Sequence, residues 1–224
     1  MTTETKKTDP SRVTLGSAAH PVRFSYAWVF EPKIDEEKLD KKTGKPRELY
    51  SMQIIIPKSD PTAKALIDKA VRAAADTKIP GKAIPSVWKL PLRDGDEEWE
   101  DKGEAVKGCW FINCSSVRKP QVVGNAKHTE ETIAQWELDH EHETDSFKRL
   151  NRPKLGQLIR LEKEEFKSGD YGRVTVNFYY FENESKGVAV GLNNVQKLAD
   201  GEALGGNASN ADDDFGDLED GFDD

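Results

Sequence analysis

The sequence predicts a mainly β domain, a small barrel or sandwich, with one amphipathic helix, a polar insertion and an acidic C-terminal tail. Three observations carry that prediction. Apolar residues alternate with period two in several short segments; one long segment, 61–77, has helical spacing; and acids accumulate after residue 199, where apolar residues thin out.

Residues 1–12 are polar and are expected to be disordered. Val22, Phe24, Tyr26, Trp28 and Phe30 then occupy alternate positions, which predicts a strand with one aromatic face, ended by Pro32. The charged stretch 35–46 contains Lys41-Lys42-Thr43-Gly44-Lys45, a hairpin-like loop with a basic tip. Residues 48–56 form the returning strand, closed by Pro57. Asp60-Pro61 is a helix start, with Asp as N-cap and Pro at the first helical position. Ala63, Leu66, Ile67, Ala70, Val71 and Ala74 supply the apolar stripe, and Pro80-Gly81 lies beyond the end.

Residues 87–90 are ambiguous, and Arg93-Asp94-Gly95-Asp96 signals a turn. Residues 108–116 have apolar side chains on both faces, which predicts a central strand, and 117–123 continue after Lys119-Pro120. The stretch 125–153 breaks the rhythm and reads as an insertion with a short helix over 130–139. Residues 155–161, 172–181 and 187–192 complete the strands, with a turn at 183–187. The domain therefore spans 13–199, and 200–224 is a tail that cannot bury enough apolar area to order itself.

The charge distribution sharpens the functional reading. The chain has 33 basic and 41 acidic residues, a net charge of −8. Ten acids and no base fall within 200–224; setting them aside leaves 31 acids against 33 bases in the body. A near-neutral body can carry a basic groove. No apolar run approaches the ~20 residues of a membrane span, no apolar leader is visible, and two cysteines, Cys109 and Cys114, make neither a disulfide framework nor a zinc set. A reducing cytoplasmic setting fits.

Enzymatic motifs are lacking: the sequence has no phosphate loop and no nucleophile elbow. His140-Glu141-His142 reads as solvated surface. Asp94, Asp96, Glu97 and Glu98 lack the spacing of a calcium loop and read as a charged turn. No cofactor and no metal is expected. Binding chemistry is better represented. Proteins that hold single strands regardless of sequence combine cations with rings on which bases stack. Here Arg23, Tyr26, Trp28 and Lys33 lie on the first strand; Lys41, Lys42, Lys45, Arg47 and Tyr50 on the next loop and strand; and Lys107, Trp110, Phe111, Arg118 and Lys119 around the third. Most of the regular apolar positions at 22–30 must be core, leaving Tyr or Trp at the rim as the platform.

The tail, as a coil of 25 residues, has an r.m.s. reach of roughly 25–30 Å, enough to fold back over its own domain. Its acids would compete with a nucleic acid for a basic groove. Asp212, Asp213, Asp214, Phe215, Leu218 and Phe222 combine charge with apolar side chains and are expected to dock a partner.

The chain resembles the phage and prophage single-stranded DNA-binding proteins. The resemblance is carried by 166–179 (Phe-Lys-Ser-Gly-Asp-Tyr-Gly-Arg-Val-Thr-Val-Asn-Phe-Tyr), 187–196 (Gly-Val-Ala-Val-Gly-Leu-Asn-Asn-Val-Gln) and Asp212-Asp213-Asp214-Phe215. Pro57-Lys58-Ser59-Asp60, Gly108-Cys109-Trp110-Phe111 and 118–123 support it. It implies an OB-fold, a five-stranded barrel, with sequence-independent binding of single-stranded DNA. It also implies a role in phage replication or recombination in the host cytoplasm, and a tail that contacts replication proteins such as a polymerase or helicase. Self-association into a homo-oligomer is left open. The 125–153 insertion departs from the family pattern: a lid, a dimer contact or no function are all open. The other classes weighed are a metal-dependent nucleic-acid-processing enzyme using Asp94 and Asp96, and an acidic-tailed scaffolding protein.

Overall fold

The computed structural model describes residues 9–39 and 43–204. Its strands are β1 (Arg12–Leu15), β2 (Val22–Leu39), β3 (Pro46–Pro57), β4 (Arg93–Asp94), β5 (Cys109–Ser116), β6 (Gln121–Lys127), β7 (Leu158–Arg160), β8 (Tyr171–Glu182) and β9 (Lys186–Ala199). The helices are α1 (Ala63–Asp76), α2 (Gly95–Lys102), α3 (Glu130–Asp139) and α4 (Asp145–Asn151).

The mainly β expectation holds, and five of the nine strands close on themselves. β8 pairs with β2, β2 with β3, β3 with β5, β5 with β9, and β9 with β8. The β5–β9 link is parallel and the other four are antiparallel. The ring is uneven: β8 and β9 pair along their length, whereas β5 meets β9 through the single pair Ser115–Gly191. β1, β4, β6 and β7 extend the sheet from this ring.

The core lies inside the ring and under α1. Phe24, Ile54, Ile56, Ile112, Val176 and Phe178 are sealed, and α1 lays Ala63, Ile67, Ala70 and Ala74 against them. Small residues on that stripe let the helix approach the sheet closely. The helix starts two residues later than the expected 61, with Thr62 rather than Asp60 at its N-cap position; the Asp60 carboxylate still accepts from the N–H groups of Thr62 and Ala63 and so supports the helix start.

Several expectations are corrected. β2 does not stop at Pro32: it runs to Leu39, because Pro32 falls in an irregular stretch between the paired positions Trp28 and Lys33, where no ladder N–H is demanded of it. The turn at 93–96 is instead a two-residue strand followed by α2, whose start Asp94 caps by accepting from the Asp96 N–H. The insertion holds two helices, not one; Thr144 caps the second, α4. Residues 9–12, expected to be disordered, form a turn held by the Asp9 side chain that leads into β1. Lys41, Lys42 and most of the tail, including Asp212, Asp213, Asp214, Phe215, Leu218 and Phe222, lie outside the described residues.

The first residues of the expected tail, Gly201 to Leu204, are strapped to the body. Gly201 donates to the Asp170 carboxylate at 3.2 Å, the Glu202 carbonyl accepts from the Arg23 guanidinium at 2.8 Å, and the Leu204 N–H donates to the Ser168 carbonyl at 2.9 Å. Gly169 makes this possible: its φ is +115°, and a Cβ there would come within 1.9 Å of the Glu202 carbonyl oxygen. Asp170 is fully buried between the ammonium groups of Lys167 (3.0 Å) and Lys197 (2.9 Å).

Candidate functional site

The strand that begins with Val22 and Phe24 pointing inward changes parity at Tyr26. Ser25 pairs with Gln53 and Trp28 with Ser51, so three steps on β2 match two on β3. That is a β-bulge, and it re-aims the side chains that follow. Tyr26 adopts a φ of +47°, a left-handed conformation unusual for a bulky residue. Val22, Phe24 and Val29 are buried, but Tyr26 is 60% and Trp28 45% exposed. The two rings stand outside on the sheet that the sequence pattern would have turned inward.

Beneath them runs a polar floor. Gln53 on β3 hydrogen-bonds Asn113 on β5 at 3.3 Å, and Ser51 pairs with Ser115 two positions along, on the same face. Tyr26 overhangs this floor beside Lys102 and Asp101 of α2. On its other side Tyr26 and Trp28 line an open groove of about 920 Å³, with Phe30, Phe166, Lys102, Lys163, Glu31 and Glu104 among its walls; Lys163 is ion-paired to Glu31 at 2.9 Å. The Lys119 ammonium lies 5.9 Å from the centre of the Phe30 ring, so the β5–β6 loop contributes a cation at the same wall. Leu204, the last described residue, also lines the groove.

The sequence-derived candidates divide accordingly. Tyr26, Trp28 and Lys119 come together in or at the groove. Lys33, Lys45 and Arg47 are exposed on the arm where β2 and β3 extend beyond the ring, and half-buried Tyr50 sits at its base opposite Ser116; Arg118 is exposed beside Lys119. Four candidates are otherwise employed. Phe111 is fully buried with Ile55 and Val106, so no base can reach it. Trp110 is half-buried under the Lys58 ammonium, 4.4 Å from its ring centre. Lys107 is ion-paired to Glu104 at 2.8 Å and lies over Trp99 at 3.6 Å. Arg23 binds the carbonyls of Gly169 and Glu202.

Lys102, Lys163, Phe166, Gln53 and Asn113 were not singled out from sequence. Gln53 and Asn113 were findable as polar residues interrupting apolar strands; Lys102 and Lys163 reach the groove only through tertiary folding.

The acids once weighed as metal ligands serve the fold. Lys58 bridges Asp94 and Asp96, and its hydrogen bond, followed by the Gly108 N–H, holds the Asp96 carboxyl below the usual carboxylate range. Among the described residues no group of three or more His, Cys, Asp or Glu is placed to hold a metal ion. His140 donates from Nδ1 to the Trp136 carbonyl at 2.8 Å, and His142 projects into solvent beside Glu141. Burial pushes the Cys114 thiol up to about 12. No described helix is long and apolar enough to cross a membrane.

Comparison with known proteins gives a consistent relationship. A family model described as the ssDNA-binding protein of Enterobacter phage Enc34 matches residues 12–224. The structure of the bacteriophage Enc34 single-stranded DNA-binding protein in complex with ssDNA is similar, with a TM-score of 0.58 and 20% identity, covering 87% of this chain and 90% of that one. A second structure of the bacteriophage Enc34 single-stranded DNA-binding protein gives a TM-score of 0.56 at 20% identity, covering 92% of this chain and 90% of that one. The search of curated proteins finds no match.

Proposed function

The chain belongs to the family of the Enterobacter phage Enc34 single-stranded DNA-binding protein, and from that premise we propose that it binds single-stranded DNA, without sequence preference and without turnover, along the face that carries Tyr26 and Trp28. The single observation behind this reading is the bulge in β2, which spends an unusual backbone conformation on turning two large rings outward above Gln53 and Asn113. Bases would stack on the rings, while Lys102 and Lys119 would meet phosphates and Lys163 would exchange its ion pair with Glu31 for one. The face made by β3 and β5, flanked by the β2–β3 arm, is also where small closed sheets of this connectivity bind oligonucleotides.

On this reading the protein covers single strands during phage replication or recombination in the host cytoplasm. Its acidic tail competes with DNA for the groove and offers Phe215, Leu218 and Phe222 to replication proteins such as a polymerase or helicase. The strap supports the competition, because its Leu204 lines the groove.

Titration with oligo-dT, followed by tryptophan fluorescence, tests the proposal. Binding and quenching are expected at low salt. Trp28→Ala should weaken binding by ~1–3 kcal/mol, the value of one stacked base, and should remove most of the quenching. Full affinity in a folded Trp28→Ala, Tyr26→Ala double variant would refute the assignment of the face.

A further inference from the structure

The insertion between β6 and β7 is not absorbed by the site above, and it has its own ring-and-cation chemistry. α3 and α4 bring Trp136, His140 and Phe147 into a stacked set. Trp136 and His140 have ring centres 4.2 Å apart and planes 17° apart; Trp136 and Phe147 are 6.4 Å apart with planes within 3°. All three rings are only partly buried, and they line an open groove that also holds Lys154 and Arg160. Both cations are exposed, and neither has a carboxylate partner among the described residues; Arg152, by contrast, is tied to Glu137. A cluster that served only to hold two helices together would have no need of a cation from β7 on the facing wall. Arg160 is such a cation.

The position of this second groove matters as much as its lining. Glu162 lines it, and the next residue, Lys163, lines the groove with Trp28 and Phe30. Adjacent Cα atoms are 3.8 Å apart, so the two grooves lie on either side of one narrow ridge. Glu162 is the one acid in the second groove's lining, and it sits at that ridge.

We propose that a single strand leaving the Tyr26–Trp28 groove continues over the Glu162–Lys163 ridge into the insertion groove, where Trp136, His140 and Phe147 offer a base platform and Lys154 and Arg160 take phosphates. The proposal rests on the reading that the first groove holds single-stranded DNA. Continuity with that groove and the sign of the charge favour a nucleic acid here over an acidic peptide. The insertion then lengthens the binding site.

The experiment uses the full-length protein and the double variant Lys154→Ala, Arg160→Ala, which removes exposed side chains and should fold. Oligo-dT of about 8 and about 25 nucleotides, within and beyond the span of one such fold, is titrated over a range of salt. For the long oligonucleotide, the variant is expected to bind roughly five- to tenfold more weakly. Its log–log salt dependence should be shallower by about 1.4, from ~0.7 per phosphate contact on a single strand. The short oligonucleotide should bind as it does to the parent protein. Trp136→Ala, checked by circular dichroism for retained helix, should reproduce the length-selective loss. Equal effects on both lengths, or none on either, would overturn the proposal. So would loss of binding to a labelled peptide of residues 211–224 with both DNA affinities intact, since the groove would then belong to the acidic segment. Failure of the parent protein to bind either oligonucleotide would instead strike the reading of the first groove.

Discussion

Tyr26 combines strain and exposure in one residue. A bulky side chain at φ +47° costs on the order of 1–3 kcal/mol, and nothing in the core recovers it, since the ring is outside. Glycine adopts that backbone without penalty. Tyr26→Gly is therefore expected to unfold at higher denaturant than Tyr26→Ala, by about 1 kcal/mol, while both lose DNA affinity equally. Chemical denaturation paired with oligo-dT titration checks both halves. The same residue marks the limit of sequence reading. Alternation over 22–30 located the strand and its aromatic wealth, but a one-residue bulge is invisible to period-two counting. It decides which rings face solvent. Phe111 failed as a candidate for the opposite reason: its end of β5 is covered by Val106 and Trp99, while Asn113 on the same face stays open, and the apolar pattern could not tell platform from core.

At the scale of the element, the strap from Gly201 to Leu204 depends on Asp170. Burial alone would raise that carboxyl, but the Lys167 N–H, the Lys197 and Lys167 ammoniums and the Gly201 N–H outweigh it and hold the pKa below the usual carboxylate range. A depressed carboxyl stabilises the fold above its unfolded pKa of about 3.9 and loses that contribution as pH falls through the lower folded value. The strap should thus hold at neutral pH, begin to weaken as pH falls below about 4, and release only on the acid side of the lowered folded value. Asp170→Asn leaves Lys197 without its buried partner and should cost about 3 kcal/mol, with the acid-dependent part of the unfolding curve flattened. Thermal melts of both proteins across pH 2–7 would reveal it. α1, α3 and the long strands were legible because their periodicity spans many residues. α2 was not, since eight residues rich in acids resemble a charged turn until the Asp94 cap and Lys58 are in place.

For the whole molecule, the proposed competition sets a near-neutral body against an anionic terminus. Deleting 205–224 should strengthen binding at low salt, and the gap between truncated and full-length protein should close as salt screens the competing acids. Fluorescence titrations at two ionic strengths measure both effects. An unchanged affinity at low salt would mean the tail does not reach the groove. The charge asymmetry was legible from composition alone. The grouping of Lys102, Lys119 and Lys163 around the ring-lined groove was not, because they come from three distant stretches that only the closed sheet unites.

The ring of strands closes through one rung, Ser115 to Gly191, between β5 and β9. A cylinder with one weak stave joint has a natural place to part. Amide protons beside that joint should exchange with deuterium well before those of the β8–β9 ladder, and mass spectrometry of peptides covering 109–116 and 186–199 would resolve the difference. If they do, the molecule could widen its β3–β5 face by parting at the joint, adjusting to strands of different bulk while its long ladders stay closed.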